Sequence, residues 1–144
     1  MISRVLKNLF VIEREYNFFI NKRLKRFGIK KTEIKVIKSL TRHKGVTSNL
    51  ICSQMMENKV TIAKSVKKLE SLGYLKKEAD SSDKRSINLF LTPSGEILKK
   101  EVFKILDDLE EILLDDFSNE DIKKNLEYLG RLEENIVSNS KRLD

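Results

Sequence analysis

The chain has 144 residues, 40% of them hydrophobic and 35% charged, with one cysteine, one histidine and a formal net charge of +7. That is enough for a single domain, residues 1–144, with a real core. It excludes an intrachain disulfide and, within one chain, a metal cage of thiolates and imidazoles. With no run of about 18 apolar residues and no charged-then-apolar leader, the expected setting is the cytoplasm, with no membrane partner.

In chain order, residues 2–27 carry Val5, Leu6, Leu9, Ile12, Tyr16, Phe19, Ile20 and Leu24 at spacings of three and four, the pattern of one long amphipathic helix ending near Gly28. Phe10, Val11 and Phe18 widen the apolar stripe beyond one core contact, which points to a second buried surface such as a dimer. Thr32 is the predicted cap of a helix running to about Arg42, with Ile34, Ile37 and Leu40 inward and Gly45 closing it. Thr47 caps a short helix from Ser48 to about Met55, and after Met56 and Glu57 a third helix starts from Asn58 and ends at Gly73. Two short helices and a tight turn before a cationic third helix make a helix-turn-helix.

The third helix has two faces. At 100° per residue Ile62, Val66, Leu69 and Gly73 fall on one side, and Val60, Lys64, Lys67 and Ser71 on the other. Residues 74–79 and then Ile87, Leu89 and Leu91 form a hairpin joined by the polar run Asp80 to Ser86. Thr92 then caps a helix with Pro93 at its first position, running to about Asp116 with Ile97, Val102, Ile105, Leu109, Ile112 and Leu113 in register. Ser118 and Asp121 form a capping-box pair opening a last helix with apolar positions Ile122, Leu126, Leu129, Leu132 and Ile136. The expected fold class is mainly α with a small β-hairpin wing (α+β): a winged helix-turn-helix lobe at about 31–92 between terminal helices at about 2–27 and 93–140.

Charge is unevenly spread: residues 1–29 carry +5, residues 30–92 carry +8 and residues 93–144 carry −6. A basic centre suggests a polyanionic partner. No segment combines a basic face with the continuous Trp, Phe and Leu face of an interfacial helix, so double-stranded DNA is favoured over a membrane. A cationic helix beside a hairpin tipped by Lys84 and Arg85 can fill a major groove and reach the neighbouring phosphates or minor groove. The plainer alternative is a solvated helix face and an ordinary charged turn. Lys64 and Lys67 are candidates for base or phosphate contact, and Thr61 and Lys68 for phosphate. Lys76 and Lys77 would meet backbone near the wing base. Val60 is either a tolerant surface position or a contact to a thymine methyl. Asp107, Asp108, Asp115 and Asp116 lie in an acidic helical tract and read as solvated, and His43 reads as a surface or helix-end residue. No catalytic residue, metal ligand or cofactor is expected, and the protein is not expected to be an enzyme.

The element order resembles the MarR family of winged helix-turn-helix transcriptional regulators. The resemblance rests on Asn58-Lys-Val-Thr-Ile-Ala-Lys-Ser-Val-Lys-Lys-Leu69, Leu69-Glu-Ser-Leu-Gly-Tyr-Leu75, and Asp80-Ser-Ser-Asp83-Lys-Arg85 followed by Leu91-Thr-Pro-Ser-Gly95. The family's wing signature, an acidic residue, one residue, then arginine, is Asp83-Lys84-Arg85 here. The resemblance implies a homodimer whose terminal helices interlock, with two lobes on a pseudo-palindromic operator. Regulation is expected to be repression, with release by a small aromatic or lipophilic effector. From the spacing of Asp83 and Arg85, the carboxylate is expected to hold the guanidinium in a fixed direction. Two departures stand out: Cys52 where the family commonly has alanine, read as a small packing residue, and Met56-Glu57 where it usually has glycine and an aliphatic residue. A winged-helix dimer binding protein or RNA is the alternative function.

Overall fold

The computed structural model describes residues 3–142 and divides the chain into two compact units between Leu109 and Glu110. The described elements are α1 (Arg4–Leu24), α2 (Lys31–Ser39), α3 (Ser48–Met55), α4 (Lys59–Ser71), β1 (Leu75–Ala79), β2 (Ile87–Leu91), α5 (Pro93–Leu113) and α6 (Asn119–Ser140). The architecture is the expected helical one with a hairpin wing, and the lobe at 31–92 lies within the first unit.

Ser3 caps α1 by accepting from the Leu6 N–H, while the predicted start at Ile2 lies outside the described residues. The helix tightens into a 3-10 turn over Lys25–Phe27 and stops at Gly28, whose φ of 74° a side chain would resist. Of its long stripe, only Ile20 and Leu24 are buried.

The second helix departs from expectation at both ends. Thr32 is not its cap: the carboxylate of Glu33 accepts from the Lys30 N–H at 2.8 Å, and the Thr32 hydroxyl is turned toward Glu33 instead. A glutamate in the first turn can reach back to an orphan N–H that a threonine already inside the helix cannot. The helix stops at Ser39, where Leu40 turns extended and Thr41 and Lys44 close a turn on each other. Gly45 therefore ends no helix. A Cβ there would lie 2.6 Å from the Cβ of Asn88, so its role is close packing on β2.

Thr47 caps α3 and Asn58 caps α4, each accepting an N–H three residues on. Between them Met56 adopts the left-handed conformation, φ 52°, that glycine takes most cheaply. The hairpin pairs Leu75 with Leu91 through Ala79 with Ile87, and Val46 adds a bridge to the other side of Leu89. Leu75, Leu89 and Leu91 are buried, while Ile87, near the tip, is exposed.

Thr92 accepts from the Gly95 N–H as α5 begins at Pro93. The inward stripe of α5 is Gly95, Leu98, Val102, Ile105 and Leu109, so Val102, Ile105 and Leu109 are buried as predicted; Ile97 is exposed, out of the predicted register, and Ile112 and Leu113, which continue the face of Leu109, are exposed at the end of the helix. For Ile97 the physical reason is Gly95, whose close approach to Tyr74 fixes the rotation of the first turn and turns Leu98 inward. The helix also ends three residues early, at Leu113. The second unit contains the end of α5 and α6, opened by the Ser118 and Asp121 capping box; no α6 residue is buried.

Candidate nucleic-acid interface

Ile62, Ser65, Val66 and Leu69 turn α4 inward, leaving Lys64, Lys67 and Val60, 64% exposed, on its outer face. Thr61 is half-buried at the edge. Lys64 and Lys67 make no ion pair with any described residue. Other expected contacts are already occupied. Lys77 lies 3.0 Å from Glu70, Lys76 lies 2.7 Å from Glu78 and sits over the Phe90 ring, and Lys68 lies 3.3 Å from Glu33. The first two are surface pairs of the kind that contribute little and can be given up.

The wing tip exposes Asp83, Lys84 and Arg85. The expected carboxylate to guanidinium contact is absent among the described residues. Asp83 Oδ1 instead accepts from the Arg85 backbone N–H at 3.0 Å, and its carbonyl accepts from the Ser86 N–H. A short acidic side chain bonds its own backbone two residues on more readily than it reaches a long, mobile guanidinium. Asp83 thus shapes the turn that carries Arg85. At the other end of the loop, Asp80 accepts from the hydroxyl and backbone N–H of Ser82 and from Asn88, and these bonds hold its carboxyl below the ordinary aspartate value. The loop is tied at both ends while its cations stay free.

Two features were not legible in the sequence. A cavity of about 380 Å³ lies between the start of α3, at Thr47, Ser48 and Asn49, and the wing at Asp83, Arg85 and Ser86. Nothing local signals this, because the two segments lie more than thirty residues apart. The other is Glu33, only 4% exposed, which joins α2 to Ser65 and Lys68 of α4. Burial pushes its carboxyl up, but the Lys30 N–H, the Thr32 hydroxyl and the Lys68 ammonium together hold it below the ordinary glutamate value. Its place in the first turn of a helix was the one available signal. Lys35 and Glu57, 2.6 Å apart, tie α2 to the turn before α4 and give the unusual Glu57 a structural partner.

Comparison with known proteins places this arrangement. Residues 29–95 match the family described as winged helix DNA-binding domain. The HTH-type transcriptional regulator PecS of Dickeya dadantii (strain 3937) is 30% identical over 94 residues, 65% of this chain, and the chain spans 57% of the length of PecS. A MarR transcriptional regulator from Methanosarcina mazei Go1 superposes with a TM-score of 0.76 at 25% identity, covering 93% of this chain and 96% of that one. Over its winged-helix segment the chain is thus similar in sequence to a winged helix DNA-binding domain and to PecS, and it shares the fold of MarR-family regulators. The same fold is seen in the S. aureus MepR–DNA complex, with a TM-score of 0.81 at 21% identity over 94% of this chain and 99% of that one. In this chain, the outer face of α4 and the wing tip each carry exposed cations that pair with no acidic side chain among the described residues.

Proposed function

We propose that the protein is a sequence-specific, cytoplasmic DNA-binding repressor that acts as a homodimer on a pseudo-palindromic operator. The observation that carries this is the set Lys64, Lys67, Lys84 and Arg85, exposed on α4 and the wing with no acidic partner among the described residues. In this reading α4 is the recognition helix. Lys64 and Lys67 meet bases or phosphates, Val60 a thymine methyl and Thr61 a phosphate. Arg85 and Lys84 follow the minor groove and its phosphates, on a turn set by Asp83. Lys77, near the wing base, meets backbone once it leaves Glu70.

Dimerisation is supported by apolar side chains left exposed on each unit: Val5, Leu6, Phe10 and Ile12 on α1, and Leu126, Leu129, Leu132 and Ile136 on α6. Such stripes mark association surfaces. Release by a small aromatic or lipophilic effector is supported by a cavity of about 520 Å³ floored by Tyr16, Ile34, Met55 and Ile62 beside Lys31 and Lys38. The test is selection of bound fragments from genomic DNA with the purified protein. The reading expects an inverted repeat with half-sites about one helical turn, roughly 34–36 Å, apart. Direct repeats, single half-sites or no enrichment contradict it, and no enrichment together with capture of RNA would favour the interaction-module alternative.

A further inference from the structure

The buried carboxylate of Glu33 does more than cap α2. Both oxygens are engaged on two helices: Oε2 accepts from the Lys30 N–H at 2.8 Å and from Lys68 Nζ at 3.3 Å, and Oε1 accepts from the Thr32 hydroxyl at 2.9 Å and the Ser65 hydroxyl at 3.3 Å. Two of these donors, Lys30 at the N-cap and Thr32 in the first turn, belong to the start of its own helix, so the carboxylate cannot swing away without leaving an N–H unpaired. The other two, Ser65 and Lys68, stand three residues apart on one flank of α4. No other acidic side chain among the described residues pairs with Lys68.

We infer that Glu33 is a positioning residue for DNA recognition: it fixes the roll of α4 about its axis through Ser65 and Lys68, and it withdraws Lys68 from the set of cations that neutralise phosphates. The inference rests on the DNA-binding reading above. Lys64 and Lys67 directly precede Ser65 and Lys68 in sequence, so the flank that Glu33 grips lies about 100° round the helix from the side that faces outward. A roll of about 20° moves groups on the outer surface of a helix, about 5–6 Å from its axis, by about 2 Å. That displacement separates a formed hydrogen bond to a base edge from none. The apolar contacts of Ile62, Val66 and Leu69 seat the helix without setting its roll so closely, since packing is not directional. A buried carboxylate with both oxygens engaged is directional.

The two roles of Lys68 separate in one experiment on the full chain. The probes are a duplex selected from a random-sequence pool by the unmodified protein and a scrambled duplex of the same length. Affinity for each is measured against salt for the unmodified protein and for Lys68→Met, Lys68→Arg and Glu33→Gln. Lys68→Met is expected to leave the salt slope on the scrambled duplex unchanged and to lower discrimination between the duplexes about tenfold, the size of one lost base contact. Lys68→Arg keeps the pair and keeps discrimination. Glu33→Gln frees Lys68, steepening the slope by about 0.9 for each phosphate it reaches, and lowers discrimination as well. If Glu33→Gln does not fold, the Lys68 variants decide alone. A shallower slope in Lys68→Met makes Lys68 a phosphate contact and overturns the inference by itself, as does unchanged discrimination in that variant. No salt-dependent affinity in the unmodified protein overturns the DNA-binding reading, and this inference with it.

Discussion

Gly95→Ala tests how the wing is anchored. A Cβ at Gly95 would stand 1.8 Å from the Tyr74 carbonyl oxygen, 2.9 Å from its carbon and 3.1 Å from a Leu91 methyl. The first of these is backbone, so rotamer changes cannot relieve it; the first turn of α5 and the residues before β1 must move apart by more than 1 Å, given ordinary C···O contact at roughly 3.3 Å. The bonds that would stretch are known: Thr92 N–H to Tyr74 O at 3.1 Å, and the Thr92 and Ser94 hydroxyls to Gly73 O at 2.6 and 2.9 Å. Three bonds at about 1 kcal/mol each, plus overpacking of about 1–3 kcal/mol, give a loss of about 4–6 kcal/mol. For a chain of this length each kcal/mol lowers Tm by about 2–4 °C, so the expected fall is on the order of 15 °C. Thermal unfolding followed by circular dichroism at one fixed protein concentration measures it. A loss under about 1 kcal/mol would refute the reasoning, because it would mean that this junction yields freely.

Three further outcomes follow from the same geometry. Met56→Gly relieves a left-handed φ of 52° and is expected to stabilise by about 0.5–1 kcal/mol in urea unfolding; destabilisation would show that the Met56 side chain contributes more than its backbone costs. Lys99 donates to the carbonyls of Leu40 at 2.6 Å and Lys38 at 3.2 Å, closing the end of α2 from α5, so Lys99→Met is expected to cost about 2 kcal/mol, and an unchanged midpoint would contradict that role. Because the folded-state pKa of Glu33 is lowered, its contribution is present above the ordinary value of 4.5 and is lost as pH falls below it. Unfolding free energy measured from neutral to acid pH should therefore fall less steeply in Glu33→Gln than in the unmodified protein, and parallel curves would remove Glu33 from the acid response.

What was legible in the sequence was local. Thr47, Asn58 and the Ser118 and Asp121 pair act as caps where their spacing put them, and the period of α4 separates Ile62, Val66 and Leu69 from Lys64 and Lys67. The wing and its exposed cations were likewise readable from alternation and a polar run. Thr32 and Asp83 departed from expectation for local reasons, through Glu33 and the Arg85 N–H, and the other departures arose where a distant segment decided the outcome. Gly45 looks like a helix end but is required by Asn88 and Phe90, and Ile97, counted inward in the first turn of α5, is exposed because Gly95 is seated on Tyr74. Lys68 and Lys77 look as free as Lys64 until Glu33 and Glu70 are brought beside them. Charge composition identifies a cationic centre, but only tertiary pairing separates the cations left for a partner from those already used.

The central claim is that α4 and the wing together meet DNA phosphates, and the dependence of affinity on salt tests it most directly. Four unpaired cations on each of two protomers, if all reach phosphates, give a slope of log affinity against log salt of about −7. The account predicts a slope steeper than about −4 on a selected duplex, becoming shallower by about 2 in Arg85→Ala if each copy of Arg85 displaces one counterion. A slope near zero, or one that Lys64→Ala and Arg85→Ala both leave unchanged, would contradict it.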